Sequence, residues 1–430
     1  MALNIVLTLL AMMVIANYRI ARSILYPPFA FCFMWLLDLG VYRLNLIDMD
    51  PIHSDTLAII GIGALVFSFG GGLSFLIPKG LLRMRVILAP RVIRNHVAKY
   101  GFTILLLICF PYIVHHLLQL AAQGTGNTLL ERARNASVDS SLAGNTESNP
   151  IIIWFIPVAT FLAILFQMEC RDRMFWFMAF VAFVANILSG GRTGLLTLIA
   201  ALTTVYLIQE RKDSFAHAIR VIRIPLVIFL GLYILLIFVN KNTSAIGGGT
   251  GTIILYFLVT YLVGPTAAFD YVVQHPSQYI GAPNHTFEFF LKAASAIHLL
   301  NYTPPPQFDQ FLSVPFPMNV YTVYKFYFTD FGIWGCFGCI FIIGFLHSAI
   351  YRKATNGSKL ALFLFALSVY TVIMVIFDDL YFVVGYFLRA AVFCLLYLNL
   401  SGIPFRILPP GVKRGFRRSS EGQLVQSLDI

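Results

Sequence analysis

The amino-acid sequence predicts an all-α polytopic membrane protein, and its composition is the first observation behind this prediction. Of the 430 residues, 59% are hydrophobic and 11% are charged, whereas soluble domains carry roughly 25% charged residues. The second observation is a succession of apolar runs that approach the ~20 residues needed to span a bilayer as a helix. No stretch is polar enough for a soluble domain, so residues 1–405 are expected to form one membrane domain, followed by a basic cytoplasmic tail at 406–430.

Eleven apolar runs are candidate transmembrane helices. They lie near residues 2–17, 24–44, 54–77, 100–120, 150–168, 174–189, 193–208, 224–239, 331–350, 359–377 and 380–400. Basic clusters follow every second run, which is the third observation. Placing these clusters in the cytoplasm accounts for 22 of the 30 lysines and arginines, and it predicts an external N-terminus and a cytoplasmic C-terminus. This topology explains the net charge of +11, so the bilayer is an expected partner and nucleic acid is not.

Two long stretches between these runs are expected to be external loops, at about 121–149 and 240–330. In the second loop, residues 252–265 are apolar, but a crossing there would invert the chain downstream and the segment is short for a span. We therefore expect a re-entrant or interfacial segment that ends at Pro265. Residues 285–300 carry apolar side chains at helical spacing between charged ones, which predicts an amphipathic helix on the membrane surface.

Several basic side chains lie outside the cytoplasm in this topology, so they call for another explanation. Arg192 falls at a tight external bend between two helices. Arg389 lies inside an apolar run, where an arginine is costly and usually faces a polar cavity; Asp378 and Asp379 could pair with it. The others considered are Arg132 and Arg134 on the first external loop and Lys325 near the end of the second.

Three stretches together resemble the family of O-antigen polymerases, also called oligosaccharide repeat unit polymerases. They are LSGGRTGLL (188–196), YFLVTYLVGPTAAFDY (256–271) and NVYTVYKFYFTDFGIWG (319–335). The resemblance implies a GT-C-like glycosyltransferase of the bacterial inner membrane that works at the periplasmic face. Such an enzyme transfers a growing glycan from undecaprenyl pyrophosphate onto the non-reducing end of a new lipid-linked repeat unit, with no metal or other cofactor. The resemblance also implies a separate partner that regulates chain length.

The expected reaction needs cations to neutralise the leaving pyrophosphate. The planar fork of an arginine suits phosphate oxygens. Arg192 stands on a glycine-rich bend at a helix start, where free backbone N–H groups and the helix dipole also attract anions. The predicted pyrophosphate-binding residues are Arg192, Arg389, Arg132, Arg134 and Lys325; the alternatives are a snorkelling arginine at a hairpin, a pairing with aspartate and a solvated loop.

The acceptor hydroxyl must lose a proton, so a carboxylate or histidine is expected near it. The predicted catalytic candidates are Asp270, Asp330, His285 and His298, with His115 and His116 as alternatives. Asp270 and Asp330 lie in the family-like stretches. Each could instead cap a helix or pair with Lys325, and the sequence leaves these alternatives open. No spacing of side chains resembles a metal site.

Two other functions are consistent with parts of this pattern. An O-antigen ligase would share the lipid-linked donor and the large external loop but would use lipid A-core as the acceptor. A lipid-linked oligosaccharide flippase would be expected to show repeated halves and charges at the midplane of the bilayer. The sequence has no internal repeat and its charges gather at one face, which favours chemistry on one side of the membrane.

Overall fold

The structure is a computed structural model, and most of the chain is described in it. The described residues are 1–78, 95–126, 128–129, 131–133, 135–136, 150–169, 171–188, 192–212, 214–240, 249–281, 285–303, 311–314, 317–401, 415–418 and 424–427.

Helices make up most of the described residues, and fourteen α-helices have bounds that can be given there. They are α1 (Ala2–Ala21), α2 (Pro27–Arg43), α3 (Ser54–Leu73), α4 (Asn95–Gln123), α5 (Pro150–Glu169), α6 (Arg173–Leu188), α7 (Arg192–Gln209), α8 (Phe215–Asn240), α9 (Thr250–Gln274), α10 (Pro276–Tyr279), α11 (Glu288–Ala296), α12 (Tyr324–Thr355), α13 (Lys359–Ile373) and α14 (Val384–Ser401). Short 3₁₀ turns extend α3 over Ser74–Leu76 and α13 over Met374–Ile376. Two antiparallel ribbons pair β1 (Leu312–Ser313) with β2 (Pro317–Met318), and β3 (Gly415–Arg418) with β4 (Leu424–Ser427).

The protein is a multi-pass helical membrane protein. Within the described ranges, eight helices are long and apolar enough to cross a membrane, namely α1, α3, α4, α8, α9, α12, α13 and α14. Apolar helices of intermediate length are found in α5, α6 and α7. Each of the eleven apolar runs predicted from the sequence contains an α-helix, although the last of these helices begins only at Val384. Seven of the eleven correspond to helices long and apolar enough to span, and α2 is in neither group.

The segment 252–265 differs from the prediction. It belongs to α9, whose 25 residues are long and apolar enough for a span, so the argument that it is too short was wrong. Pro265 lies inside this helix instead of ending it. The proline costs one backbone hydrogen bond, but the turns around it, from Val263 to Phe269, are buried against neighbouring elements, and this packing holds the helix together across the proline.

The two helices α3 and α12 run in the same direction, packed closely together. Gly344 lies against the carbonyl of Phe67, Ser348 lies beside Gly71, and Arg352 donates hydrogen bonds to the carbonyls of Ser74 and Ile77. Eight of the helices given above, α4 to α11, separate them in the chain, and five of these, α4 to α8, correspond to predicted spans. If each of α4 to α8 crosses the membrane once, α12 enters it in the same direction as α3. A further complete crossing by α9 would make α3 and α12 antiparallel, so their parallel packing favours an α9 that enters and leaves on the same side.

The two ends of the helical bundle differ in charge. We call the end where α3 begins the site end and the end where α3 finishes the basic end. At the basic end, Arg352 binds the end of α3 as described above, and Arg19 lies in the last turn of α1. The Lys99 ammonium lies 2.6 Å from the Asp172 carboxylate, and Arg171 lies 3.0 Å from Glu210. The residues singled out as a candidate site lie toward the opposite end.

Candidate functional site

The site end is organised by a reversal of the chain at Gly332. This residue has φ of 67° and ψ of −172°, a conformation open almost only to glycine. The Sγ atom of Cys336 lies 3.8 Å from the carbonyl oxygen of Tyr324, whereas twelve residues of a straight helix would separate the two by about 18 Å. Residues 324–331 therefore fold back against the spanning part of α12, and we call them the re-entrant helix.

The re-entrant helix starts inside the bundle. The hydroxyl of Tyr324 donates a hydrogen bond to the Ile60 carbonyl at 3.3 Å, about two turns into α3. Its ring stacks on Trp35 with centroids 5.3 Å apart, and Gly63 leaves room for it. Just before the helix, the N–H of Val323 donates to the Val375 carbonyl at 2.9 Å. From this buried start the helix rises toward Gly332 at the site end.

A second inward segment is the connection between α13 and α14, residues 377–383. The hydroxyl of Tyr381 lies 3.2 Å from Nδ1 of His347, which is about four turns below Gly332 along α12. The backbone N–H of Tyr381 donates to Oδ1 of Asp379 at 3.0 Å. This connection therefore carries Asp379 into the bundle, where it faces Tyr327 of the re-entrant helix.

Among the described residues of the site end outside the spanning helices, Asp379 has the carboxyl pKa that is raised furthest. The residue is half-buried, but protein atoms surround its carboxyl group. The pKa of Asp379 is raised to about 7, chiefly by burial. The Tyr327 hydroxyl and the Tyr381 N–H lower this pKa, and the nearby carboxylate of Asp330 raises it. Asp379 can therefore exchange a proton near neutral pH.

Two of the predicted residues, Asp330 and His285, lie together. The Oδ2 atom of Asp330 accepts the backbone N–H of His285 at 3.3 Å and that of Thr286 at 2.8 Å. The His285 ring stacks on Phe326 of the re-entrant helix, with centroids 4.5 Å apart. Asp330 thus ties the segment that precedes α11 to the re-entrant helix. This is not the helix cap considered as an alternative, because the N-cap position of α11 is Phe287 and no side chain caps it.

Lys325 is a buried cation on the same re-entrant helix. Only 5% of the residue is exposed, and its Nζ atom lies 4.7 Å from the ring centroid of Tyr321 and 4.3 Å from that of Phe326. Aromatic faces attract a cation, more so when it is desolvated. Phe326 therefore contacts both Lys325 and His285, and it links the lysine to the segment that Asp330 holds.

Asp270 pairs with a residue that the sequence did not single out. One oxygen of Asp270 lies 2.8 Å from Nδ1 of His53, and the other accepts the His53 backbone N–H at 3.0 Å. This hydrogen bond raises the pKa of the exposed His53. The residue before Asp270, Phe269, packs against Phe328 of the re-entrant helix, with ring centroids 6.0 Å apart. The end of α9 therefore joins the start of α3 to the re-entrant helix.

The predicted phosphate-binding arginines are less fully described. Arg389 is half-buried in the second turn of α14, and its Nε donates to the carbonyl of Gly385 at 3.0 Å. Arg132 is exposed, and its carbonyl lies close to Gly124. Arg192 is the first residue of α7, but its side chain lies outside the described part of the structure, as does the whole of Arg134.

His298 stands apart from these contacts. It is exposed, it has a left-handed φ of 58°, and its N–H donates to the Ser295 carbonyl at 3.0 Å beyond the end of α11. These are the contacts of a helix terminus. The alternatives His115 and His116 lie within α4, about two turns before its end.

The residues missed by sequence reasoning are Asp379 as a proton-exchanging group, His53, Tyr327, Tyr381 and His347. Asp379 was considered only as a partner for Arg389. The available signals were polar residues beside or within apolar runs, such as His347 and the Asp378–Asp379 pair. Periodicity could not connect them, because their contacts depend on the reversal at Gly332 and on the inward course of residues 377–383.

Searches of protein families, of curated proteins and of solved structures each found no match to this chain. The chemistry of the site and the three family-like stretches are therefore the basis for a functional proposal.

Proposed function

We propose that this protein polymerises undecaprenyl-pyrophosphate-linked oligosaccharide repeat units at the periplasmic face of the bacterial inner membrane. The observation that carries the proposal concerns the stretch 319–335, which resembles the polymerase family. It contains the re-entrant helix, whose Asp330 and Lys325 lie at the same end of the bundle as Asp379. A cation and two carboxylates grouped inside the bundle toward its site end suit the transfer of a glycan from a pyrophosphate carrier.

The distribution of charge supports the orientation. Lysines and arginines concentrate on the cytoplasmic side of multi-pass proteins, and the basic end holds Arg352, Lys99 and Arg171. The site end then faces the periplasm, with the N-terminus on that side and the C-terminus in the cytoplasm. A GT-C-like arrangement, with the lipid carrier entering from the outer leaflet, is part of the same proposal.

The cations of the site end are proposed to hold the pyrophosphate. Lys325 is fixed between two rings, and Arg389 lies on α14 near its site-end start. Arg192 begins α7, so the first-turn N–H groups of this helix and its dipole would add to the positive field. Neutralising the charge that develops on the leaving pyrophosphate lowers the barrier more than a strong acid would, because pyrophosphate is already a good leaving group.

Asp379 is proposed to accept the proton of the acceptor hydroxyl. A catalytic base works best when its pKa lies near the working pH, and burial provides this for Asp379. As the hydroxyl proton moves to the carboxylate, the acceptor oxygen bonds to the anomeric carbon of the donor. The bond from that carbon to the pyrophosphate oxygen breaks, and undecaprenyl pyrophosphate leaves with the electron pair.

The segment around α11 is proposed to bind the sugar chain. Phe289 of α11 lies against Gly385 of α14, one turn from Arg389. Phe287 and Phe290 are 44% and 53% exposed. Such rings stack against the apolar C–H faces of sugars, although a membrane-interface position would also explain them. Asp330 fixes the start of this segment through His285 and Thr286. The rings proposed to bind the sugar chain would therefore stay at a fixed distance from the proposed base, Asp379.

The experiment that tests the proposal is a gel of surface and lipid-linked glycans from cells that lack the protein. A polymerase defect leaves surface material with a single repeat unit, because flipping and ligation continue. Long polymer stranded on the lipid carrier would identify a ligase instead. Single repeats confined to the cytoplasmic face would identify a flippase.

A residue-level version of the experiment uses complementation with variants. We expect Asp379→Asn to leave single repeats, because the amide cannot accept the proton. Asp48→Asn makes the same chemical change at an exposed loop position and should restore the ladder. Arg192→Ala is expected to shorten or abolish the ladder through loss of pyrophosphate binding. A full ladder with Asp379→Asn would contradict the proposed base.

A further inference from the structure

A string of hydrogen bonds connects Asp379 to the interior of the bundle. His347 of α12 is 4% exposed, and its Nε2 lies 2.9 Å from the hydroxyl of Ser368 on α13. Its Nδ1 lies 3.2 Å from the hydroxyl of Tyr381, whose own N–H donates to Asp379. The ring of His347 also packs against Phe365, with centroids 5.5 Å apart. The inward segment 377–383 is therefore attached to α12 through His347, which is itself hydrogen-bonded to α13.

The donors and acceptors of this string fix the tautomer of His347. The hydroxyl of Ser368 donates its single hydrogen to the Phe365 carbonyl at 3.0 Å, so toward His347 it acts as an acceptor. The hydrogen in that contact must then come from Nε2 of His347. With Nε2 protonated on a neutral ring, Nδ1 has a free lone pair that accepts the hydroxyl hydrogen of Tyr381. The Tyr381 hydroxyl also interacts with the Thr371 side chain of α13.

We propose that His347 and Tyr381 are positioning residues that hold Asp379 in its working geometry. The inference rests on the proposed function of Asp379. Because the hydroxyl of Tyr381 is bound to His347 on a spanning helix, the backbone of Tyr381 is held as well. The N–H that this backbone directs at Oδ1 of Asp379 favours the charged carboxylate. Loss of the hydrogen bond between Tyr381 and His347 would let residues 377–383 move outward and would weaken the hydrogen bond from the Tyr381 N–H to Asp379.

The pH dependence of activity reports on this string. Other titratable groups also face the Asp379 carboxylate, so the effect of Tyr381 has to be separated from theirs; they are Tyr327, Asp330, Cys336 and Cys339 on α12 and Tyr370 on α13. None of these is altered when the string is broken at Tyr381 or His347. Since the Tyr381 N–H lowers the pKa of Asp379, its loss raises that pKa, and a base that must be ionised then requires a higher pH.

The test measures turnover and its pH profile for purified variants acting on lipid-linked repeat units. Tyr381→Phe removes only the hydroxyl, and His347→Leu removes only the imidazole. We expect each to lower kcat about three- to tenfold, the range of one lost hydrogen bond, with KM little changed and the acidic limb shifted to higher pH. His347→Asn keeps an acceptor for the Tyr381 hydroxyl and should restore most of the activity. The double variant should be no slower than the slower single variant, because both break one string.

Two further variants make the outcome decisive. Tyr397→Phe changes a buried tyrosine that packs on Phe102 and Phe166, and it should leave the pH profile unchanged. Tyr381→Phe and His347→Leu with an unshifted limb would overturn the inference while leaving the role of Asp379 intact, provided that Asp379→Asn is inactive. An active Asp379→Asn would overturn the proposed base and the positioning role together.

Discussion

Cys336 and Tyr324 are in contact although twelve residues separate them, with Sγ of Cys336 3.8 Å from the Tyr324 carbonyl oxygen. The reversal that brings them together takes place at Gly332. Because of it, residues 324–331 of the family-like stretch form a helix that rises from the bundle interior and meets the start of the spanning part of α12. Asp330 and Lys325 owe their position at the site end to this reversal.

The first prediction concerns Gly332. A Cβ at this position would meet no atom within 4 Å, so any effect of Gly332→Ala comes from the positive φ alone. We expect a loss of about 1–3 kcal/mol in the free energy of unfolding and a strong loss of polymer synthesis. Gly338→Ala, on the same helix and equally free of neighbours, is the control. Thermal unfolding of the purified variants checks the prediction, and equal melting temperatures for the two would contradict it.

The second prediction concerns the close packing of α3 and α12. A Cβ at Gly344 would overlap the backbone carbonyl of Phe67, which cannot move aside as a flexible side chain could. Gly344→Ala should therefore destabilise the protein by about 1–3 kcal/mol. Gly72→Ala, in the last turns of α3 and without atoms near its Cβ, should not. Wild-type stability in Gly344→Ala would mean that these helices do not pack as described.

The third prediction concerns the pair formed by His53 and Asp270. The pKa of His53 is raised in the folded protein, so the pair stabilises the fold fully below the unfolded pKa of about 6.5. This contribution is lost as the pH rises through the folded value. His53→Gln should therefore lower the melting temperature more at pH 5.5 than at pH 8.5. The control is His217→Gln, whose imidazole lies beside Ser214 on an exposed surface. A difference that does not change with pH would show that the pair adds no charge-dependent stability.

The fourth prediction separates the two roles of Asp330. The carboxylate raises the pKa of Asp379, so Asp330→Asn should lower that pKa and shift the acidic limb of the activity profile to lower pH. The amide oxygen can still accept the N–H groups of His285 and Thr286. Asp330→Ala removes this acceptor as well, and it should lower the melting temperature further than Asp330→Asn does. A limb that does not move in Asp330→Asn would contradict the electrostatic coupling of the two carboxylates.

The positions of most helices could be predicted from the sequence because polar or charged residues end the apolar runs. The run 54–77, for example, corresponds to α3 and its 3₁₀ extension to Leu76. The length of α9 could not be predicted, because Pro265 was expected to end the apolar segment. The helix continues through this proline because the residues on both sides of it are packed against neighbouring elements.

The candidate site could be predicted only in part. Asp330, His285 and Lys325 were expected from the family-like stretch and its loop, and the structure brings them around Phe326. The pairing of Asp270 with His53 joins residues 217 positions apart, and no local pattern records such a contact. Asp379 appears in the sequence as one of two adjacent aspartates near a helix end. Its enclosure depends on Tyr327 and Tyr381, which the fold supplies.

The most direct test of the account is polymer synthesis by the purified protein in liposomes that contain lipid-linked repeat units. The proposed function predicts a ladder of products with wild type and with Asp48→Asn, and a loss of about 10²-fold or more with Asp379→Asn. A ladder of undiminished intensity with Asp379→Asn, or wild-type protein that transfers glycan only when lipid A-core is supplied, would contradict it.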